Sequence, residues 1–270
     1  MSDRTTVRQV STPPPARHPY LDHPHPLAIA HRGGAGDYPE NTLDAFAAAV
    51  ALGYRYLETD VHLTADGVLV AFHDASLDRV TDRTGNISDL QWSQVRTAQV
   101  LGADGSTGRI STLEEILDAF PAARFNIDPK SDAATDPLAD VLTRSGATSR
   151  VCVGAFSDRR LARLRARLGA QLCTGLGPKG VARLRAASLG LPVGRPDGDC
   201  VQVPVRAGRI RIVDRRLVDT AHRFGLEVQV WTIDEPGEMH ELLDLGVDAI
   251  MTDRPGVLRD VLVQRGLWVD

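Results

Sequence analysis

The chain has 270 residues, 43% of them hydrophobic and 24% charged, so it is long enough to bury a substantial core. Its formal net charge is −4, and the lack of a basic stripe argues against nucleic acid as a partner. No apolar run reaches the length of about 20 residues that a transmembrane helix needs. The first residues also lack the apolar segment of a secretory signal, so we expect a cytoplasmic protein without a transmembrane segment.

The amino-terminal residues and the cysteines predict little chemistry. Residues 1–26 are rich in proline and polar side chains, which predicts a flexible tail ahead of one folded domain over residues 27–270. Histidines in this tail are expected to be solvated. Cys152, Cys173 and Cys200 lie in apolar runs without CxxC spacing, so we expect reduced thiols that fill the core, as is usual in the cytosol.

Short apolar runs alternate with helical patterns along most of the chain. Nine runs predict strands, at 27–31, 54–63, 68–73, 124–128, 150–156, 170–176, 200–205, 227–233 and 248–253. Helical patterns lie between them, at 42–53, 111–120, 137–144, 158–168, 179–188, 214–224, 236–245 and 255–264. This alternation predicts parallel βα units rather than an antiparallel sandwich.

One of the nine runs does not belong to a βα unit. Asp66-Gly67 is a strong two-residue hairpin signal, so 68–73 is predicted to be an antiparallel return strand. The remaining eight units predict an α/β fold of the TIM (β/α)8 barrel type, with its chemistry at the carboxyl ends of the strands. An open doubly wound sheet is the alternative, disfavoured because no GxGxxG opens the first helix. Residues 75–111 are too long for a simple loop, and we expect them to form an excursion over the barrel mouth.

The second strand carries two acids and a candidate partner. Side chains alternate along a strand, so Glu58 and Asp60 in LETD face the same way, where a divalent cation would neutralise their repulsion. A two-residue hairpin turn places His73 opposite Asp60, beside both acids. A three-residue turn would place Thr59 opposite His73 and turn the imidazole away; the chemistry favours the first register.

Two other strand ends carry residues of the same kind. In FNIDPK, Asp128 is a candidate third oxygen ligand and Lys130 is a candidate phosphate contact. His31 ends the first strand and is followed by Arg32, whose guanidinium suits forked binding of phosphate oxygens. Glycines after Arg32 allow a sharp turn and a close approach to a ligand, and Glu40 lies at the start of the next helix.

These side chains together predict a reaction class. Carboxylates without cysteine ligands favour a hard cation such as Mg²⁺ or Ca²⁺ over structural zinc. Two histidines supply a base and an acid in the same pH range, and the cationic side chains stabilise charge on a pentacoordinate phosphorus. The pattern therefore predicts metal-assisted cleavage of a phosphodiester.

An ordered series of motifs then resembles a known family. The segments are AHRGGAGDYPENTLDAF, YLETDVHLTADGVLVAFHDASLDRVTDRTG, ISTLEEIL, FNIDPKS, VQVWTID and GVDAIMTDRP. They are similar to those of the glycerophosphodiester phosphodiesterase family, over nearly the whole chain except the tail. The resemblance implies a barrel of the phospholipase-C-like phosphodiesterase type. It also implies hydrolysis of a small glycerophosphodiester to sn-glycerol 3-phosphate and an alcohol, with one divalent cation, Ca²⁺ or Mg²⁺, with Mn²⁺ as an alternative.

The resemblance also assigns roles to residues. It implies catalytic histidines at His31 and His73, metal ligands at Glu58 and Asp60, phosphate contacts at Arg32 and Lys130, a site-supporting acid at Glu40 and a pocket wall at Trp231. Asp128 stands where the family pattern has Glu in E-x-K. Because Asp is one methylene shorter than Glu, the cation preference stays open. We nevertheless expect Asp128 to remain a ligand.

Alternative functions remain at this point. A lysophospholipase D would use the same site but needs an apolar channel, and 75–111 contains few large apolar residues. A non-catalytic barrel that binds a phosphorylated metabolite would be expected to lack a histidine or an acid. If the protein is a phosphodiesterase, the nucleophile is either water or the substrate's own 2-hydroxyl, whose attack would form a cyclic phosphate. The pattern specifies neither the alcohol headgroup nor an oligomeric state.

Overall fold

A computed structural model describes residues 18–24, 26–103 and 105–269. The α-helices are α1 (Leu43–Ala51), α2 (Trp92–Val95), α3 (Leu113–Ala119), α4 (Thr135–Arg144), α5 (Asp158–Leu168), α6 (Pro178–Ser188), α7 (Arg215–Arg223), α8 (Pro236–Leu245) and α9 (Pro255–Gln264). The strands are β1 (Leu27–Ala30), β2 (Tyr56–Leu63), β3 (Leu69–Ala71), β4 (Gln99–Leu101), β5 (Thr107–Arg109), β6 (Arg124–Pro129), β7 (Val151–Val153), β8 (Cys173–Thr174), β9 (Cys200–Pro204), β10 (Arg206–Ala207), β11 (Ile210–Arg211), β12 (Glu227–Trp231) and β13 (Ala249–Thr252). Within these ranges, no helix combines the length and the apolar character needed to span a membrane.

Eight parallel strands form the predicted barrel. Their order is β8-β7-β6-β2-β1-β13-β12-β9, and β3 pairs with β2 off this path. A parallel bridge between Gly175 and Cys200 links the two ends of the series, so the barrel is nearly closed. The helices that alternate with these strands cover its outside, which confirms the predicted fold class.

The hairpin formed by β2 and β3 does not have the predicted register. Val61 pairs with Ala71, and the amide of Phe72 donates to the carbonyl oxygen of Asp60 at 3.0 Å. The turn contains three residues rather than two, because the Thr64 hydroxyl accepts from the amide of Val68 and closes it one residue earlier. Phe72 therefore lies opposite Asp60, and the predicted pairing with His73 is wrong.

The insertion at 75–111 folds around a small core that it shares with β3 and Phe72. The buried side chains of this core are Val70, Phe72, Leu77, Ile87, Val95, Ala98, Val100 and Ile110. Strands β4 and β5 form an antiparallel pair within the insertion, and α2 is only four residues long. The insertion is therefore a folded element supported by apolar burial rather than an extended loop.

The chain is packed from residue 18 onward, earlier than the predicted boundary at 26. Pro19–Leu21 form a 3-10 helix, and Tyr20 is completely buried. The Tyr56 hydroxyl donates to the Tyr20 carbonyl oxygen at 2.6 Å, and His18 accepts a hydrogen bond from the amide of Tyr20. Apolar burial against the beginnings of the barrel strands accounts for this packing, and His18 is buried rather than solvated. Residues 1–17 of the predicted tail lie outside the described part of the chain.

The amino-terminal end of the barrel is filled by small and aromatic side chains. Cys152, Cys173 and Cys200 are free and completely buried, as predicted, and they pack in one cluster with Tyr20 and Tyr56. The opposite end of the barrel is left for polar side chains.

Candidate active site

A cavity of about 650 Å³ opens at the carboxyl ends of the barrel strands. Its wall includes these predicted site residues: His31, Arg32, Glu58, Asp60, His73, Asp128, Lys130 and Trp231. Glu40 lies behind this wall, in contact with Arg32. The predicted site residues therefore meet at one end of the barrel, although they come from positions far apart in the chain.

His31 is held by an acid that sequence reasoning did not single out. The Nδ1 atom of His31 lies 2.6 Å from Oδ1 of Asp253, and its Nε2 atom lies 3.8 Å from Oε2 of Glu58. Burial alone would lower the pKa of His31, but Glu58 and Asp253 together raise it above its ordinary value. The imidazole is therefore oriented through Nδ1, with Nε2 facing the carboxylate of Glu58.

His73 reaches the same cavity despite the changed hairpin register. Strand β3 ends at Ala71, and Nε2 of His62 lies 3.0 Å from the carbonyl oxygen of His73 beyond it. The Nδ1 atom of His73 lies 2.6 Å from Oδ1 of Asp74. Each candidate catalytic histidine thus has a carboxylate at Nδ1, which is the arrangement that fixes an imidazole tautomer.

The segment after His31 explains why glycines follow the strand. Arg32 has a φ of +52°, and Gly33 has a φ of +81° where a Cβ atom would lie only 2.8 Å from that of Ala45. This tight turn directs the amide of Arg32 toward Glu58, whose Oε2 accepts it at 3.0 Å. Glycine is required here because L side chains rarely adopt this conformation and have no room.

The start of α1 completes the turn. Thr42 caps the helix by accepting a hydrogen bond from the amide of Ala45. Asn41, with a φ of +58°, accepts from the Thr59 hydroxyl at 2.7 Å and donates to Oδ2 of Asp60 at 3.3 Å. Asn41 therefore supports the acids of strand β2, a role that the sequence pattern did not suggest.

Glu40 belongs to a chain of charges behind the cavity. It accepts from Nη1 of Arg32 at 3.3 Å and from Nη2 of Arg79 at 2.7 Å. Arg79 also pairs with Asp74, so it links the two sides of the site. Arg79 comes from the insertion, but no described residue of 75–111 lines the cavity. The insertion therefore contacts the edge of the site and does not cover the barrel mouth, contrary to expectation.

The three predicted metal ligands differ in how their charge is compensated. Burial and the neighbouring Asp60 carboxylate raise the pKa of Glu58 to about 7. Burial would also raise the pKa of Asp60, but Lys130 and Arg32 hold it below its ordinary range. Burial raises the pKa of Asp128, whose Oδ1 is buried without a hydrogen-bond partner. Glu58 and Asp128 therefore lie where additional positive charge would be stabilising.

Lys130 lies between two of these acids. Its Nζ atom is 2.6 Å from Oδ1 of Asp60 and 2.9 Å from Oδ2 of Asp128, which are neighbours because β2 and β6 pair in parallel. Burial would lower the pKa of Lys130, but the two carboxylates raise it above its ordinary value. Lys130 thus remains a cation within the site.

The donor chemistry fits a hard divalent cation. Glu58, Asp60 and Asp128 offer only oxygen ligands, and the unpartnered Oδ1 of Asp128 points to a missing contact. However, in the described part of the chain only the three buried cysteines place three ligand atoms within 4.8 Å of one another. The carboxylates therefore provide suitable ligands without forming a compact set in this arrangement, where the Lys130 ammonium bridges two of them.

The far side of the cavity is mainly apolar. Trp231 lies at the end of β12, and its ring packs edge-on against Phe156 with a centroid distance of 5.7 Å. Other apolar lining residues are Ala155, Leu176, Pro178, Val181, Ala182, Val203, Pro204, Ala207, Ile212 and Met251. The cavity thus has one charged half and one apolar half, and the apolar half does not come from 75–111.

Sequence reasoning missed several polar residues of the site. Asp253 and Asp74 contact the histidines, Arg79 pairs with Glu40, and Gln202 donates to Asn126 at 2.8 Å. Asp253 is the last residue of the predicted strand 248–253, and Asp74 comes directly after the predicted strand 68–73. Their partners could not be identified without the tertiary structure.

The chain is similar to proteins of a known family. The family model described as the glycerophosphoryl diester phosphodiesterase family matches residues 31–257. The chain is 42% identical to Probable glycerophosphodiester phosphodiesterase 2 of Mycobacterium tuberculosis over 255 residues, covering 92% of this chain and 95% of that protein. It is 28% identical to human Lysophospholipase D GDPD1, covering 87% and 85% of the two chains.

A solved structure shares the architecture. It belongs to a candidate glycerophosphoryl diester phosphodiesterase from Silicibacter pomeroyi, with a TM-score of 0.76, 28% identity and coverage of 93% of this chain and 99% of that chain. The family match extends over the strands and loops that build the cavity. The chain is an enzyme of the glycerophosphoryl diester phosphodiesterase family.

Proposed function

We propose that the protein hydrolyses glycerophosphodiesters to sn-glycerol 3-phosphate and an alcohol, using histidine acid–base catalysis and a divalent cation. One observation carries the proposal: His31 and His73 line the same cavity, and each has its Nδ1 atom 2.6 Å from a carboxylate oxygen. The charged groups expected to bind a phosphodiester, Arg32 and Lys130, line the same cavity. This is the arrangement that a proton-transfer mechanism at phosphorus needs.

The two histidines divide the proton transfers. With Nδ1 donating to Asp253, Nε2 of His31 is a base that accepts a proton from the nucleophile, and Asp253 stabilises the imidazolium that forms. With Nδ1 donating to Asp74, Nε2 of His73 donates a proton to the leaving alkoxide. The nucleophile is water or the 2-hydroxyl of the substrate.

Arg32 and Lys130 bind the phosphate oxygens. Arg32 is oriented by Glu40, and Lys130 by Asp60 and Asp128, so both cations are positioned before substrate arrives. Positioned cations stabilise the charge that develops at phosphorus without reorganisation during the reaction. Glu40 is therefore a positioning residue rather than a group that touches substrate.

Glu58, Asp60 and Asp128 would hold the cation. A hard divalent ion bound there supplies Lewis-acid stabilisation of the phosphate. Ca²⁺, Mg²⁺ and Mn²⁺ all prefer the oxygen ligands that these residues offer. The three unpaired cysteines are compatible with the reducing cytoplasm as the site of action.

A lysophospholipid is the second candidate substrate. The apolar wall around Trp231 and Phe156 offers a surface to an alkyl chain, which the sequence of 75–111 did not suggest. The similarity to human Lysophospholipase D GDPD1 supports the same possibility. Both substrates would use the same charged half of the cavity.

A substrate and cation panel tests the proposal. Glycerophosphocholine, glycerophosphoethanolamine and lysophosphatidylcholine are incubated with enzyme after EDTA treatment and after addition of Ca²⁺, Mg²⁺ or Mn²⁺. We expect cation-dependent release of sn-glycerol 3-phosphate from the first two, and of lysophosphatidic acid from the third if the second candidate holds. Phosphorus NMR during turnover detects a cyclic phosphate if the 2-hydroxyl is the nucleophile. Absence of product from every substrate with every cation contradicts the proposal.

A further inference from the structure

A small hairpin stands at the rim of the cavity. Strands β10 and β11 pair antiparallel, with Ala207 opposite Ile210 and Arg206 opposite Arg211. Gly208 and Arg209 form the two-residue turn, and Gly208 has the positive φ of +57° that such turns favour. The hairpin follows β9, so it rises from the carboxyl end of the barrel.

One face of this hairpin continues the apolar wall. Ala207 and Ile212 line the cavity, and Ile210 lies on the same face of the hairpin, nearer the turn. Ile210 is 69% exposed, and Phe156, in the loop after β7 on the same rim, is 70% exposed. Among the described residues, these are the two most exposed large apolar side chains, so the rim has unburied apolar area beside the cavity entrance.

The other face and the turn are basic. Arg206 and Arg211 are direct cross-strand neighbours, and Arg209 is in the turn. All three are exposed, and none forms a salt bridge with a carboxylate in the described residues. Like charges placed opposite each other destabilise a hairpin, and an anionic surface would relieve that repulsion. The cluster contrasts with the net charge of −4 of the whole chain.

We propose that the hairpin and Phe156 dock the protein on the surface of an anionic phospholipid bilayer. Apolar side chains at a tip flanked by basic ones match the two parts of such a surface, the acyl boundary and the charged headgroups. Docking in this orientation places the cavity entrance against the membrane, where a lipid substrate would enter along the apolar wall. The supply of lipid to the site rests on the proposed function, whereas docking itself does not.

Vesicle co-sedimentation tests the docking. Full-length protein is mixed with vesicles of phosphatidylcholine alone or of phosphatidylcholine with phosphatidylglycerol, at low and high salt. We expect binding to the anionic vesicles that weakens as salt rises. Neutralising one arginine, as in Arg209→Gln, should weaken partitioning about fivefold, and the triple change of Arg206, Arg209 and Arg211 to Gln about 100-fold.

Matched variants separate this surface from general charge or apolarity. Arg96→Gln removes an exposed arginine of the insertion and should leave binding unchanged. Ile210→Ser should weaken binding, whereas Val263→Ser, at a half-exposed position on α9, should not. Circular dichroism and thermal unfolding check that each variant is folded.

Three outcomes would overturn the docking proposal. The first is equal binding to neutral and anionic vesicles, or no binding to either. The second is unchanged binding of the triple variant. The third is self-association in sedimentation velocity without vesicles that Ile210→Ser abolishes, which would assign the surface to a second copy of the chain. Hydrolysis of water-soluble glycerophosphocholine is measured in parallel and should be unchanged in the triple variant. If the wild-type protein does not hydrolyse glycerophosphocholine, the proposed function is contradicted. The vesicle-binding result still tests the docking proposal in that case.

Discussion

His31 Nδ1 and Asp253 Oδ1 are 2.6 Å apart, although the two residues are separated by 222 positions in the chain. The contact forms because β1 and β13 are neighbours in the barrel, with Ala30 paired with Thr252. Asp253 is held in turn, since its amide donates to Oδ1 of Asp234 at 2.8 Å. The pairing of β1 with β13 thus places Asp253 beside His31, where its carboxylate orients the imidazole.

Replacing Asp253 tests this orientation. Asp253→Asn should lower kcat about 100-fold with little change in KM, because an amide neither fixes the same tautomer nor stabilises the imidazolium. Steady-state kinetics on glycerophosphocholine give the two constants separately. Asp219→Asn, at an exposed position on α7, is the matched control and should leave kcat and KM unchanged. An unchanged kcat in Asp253→Asn would remove the orienting role.

The two histidines should each be needed for proton transfer. His31→Ala and His73→Ala should each lower kcat at least about 100-fold, the usual contribution of a general acid or base. His240→Ala, on α8 and away from the cavity lining, should retain activity. Full activity in either variant of the pair would exclude that residue from the mechanism.

Asp128 should control the cation requirement. Asp128→Asn should raise the cation concentration for half-maximal activity at least about tenfold, because one charged oxygen ligand is lost. Asp128→Glu should retain activity with a changed order of preference among Ca²⁺, Mg²⁺ and Mn²⁺, because the carboxylate is moved by one methylene. Titration of EDTA-treated enzyme measures both, with Asp140→Asn, at an exposed position on α4, as the control. The same cation curve for wild type and Asp128→Asn would show that Asp128 is not a ligand.

Gly33 should be required for the fold around His31. Gly33→Ala should lower the free energy of unfolding by about 1–3 kcal/mol, because the residue has a φ of +81° and its Cβ atom would contact Ala45. Gly237→Ala, where a Cβ atom meets nothing within 4 Å, should be neutral or stabilising by up to about 1 kcal/mol. Urea unfolding of the two variants compares the effects. Equal stability of Gly33→Ala and wild type would show that the turn relaxes at little cost.

Local patterns predicted the elements well where they depend on nearby residues. The helical pattern at 111–120 predicted α3, which begins with a capping box of Thr112 and Glu115, and Glu58 and Asp60 share a face of β2 as the alternation requires. The hairpin after β2 shows the limit. Asp66-Gly67 suggested a two-residue turn, but the hydroxyl of Thr64 stabilised a three-residue one, and side-chain competition of this kind is not visible in the dipeptide.

His73 shows why a correct site residue can follow from a wrong register. It lies beyond the last paired residue of β3, so the alternation of the ladder no longer determines its direction. Contacts with His62 and Asp74 hold it instead. The predicted boundary of the tail was wrong for a related reason, because Tyr20 is buried by strands that follow it in the chain.

The sequence alone determined the alternation of strands and helices, the eight barrel units and the acids that share a strand face, since these depend on periodicities of a few residues. Only the tertiary structure decided the pairing of His31 with Asp253, the charge chain through Arg79 and the apolar wall beside Trp231. These contacts join strand ends and loops that are distant in the chain, so they exist only after apolar burial has closed the barrel and fixed the register between strands.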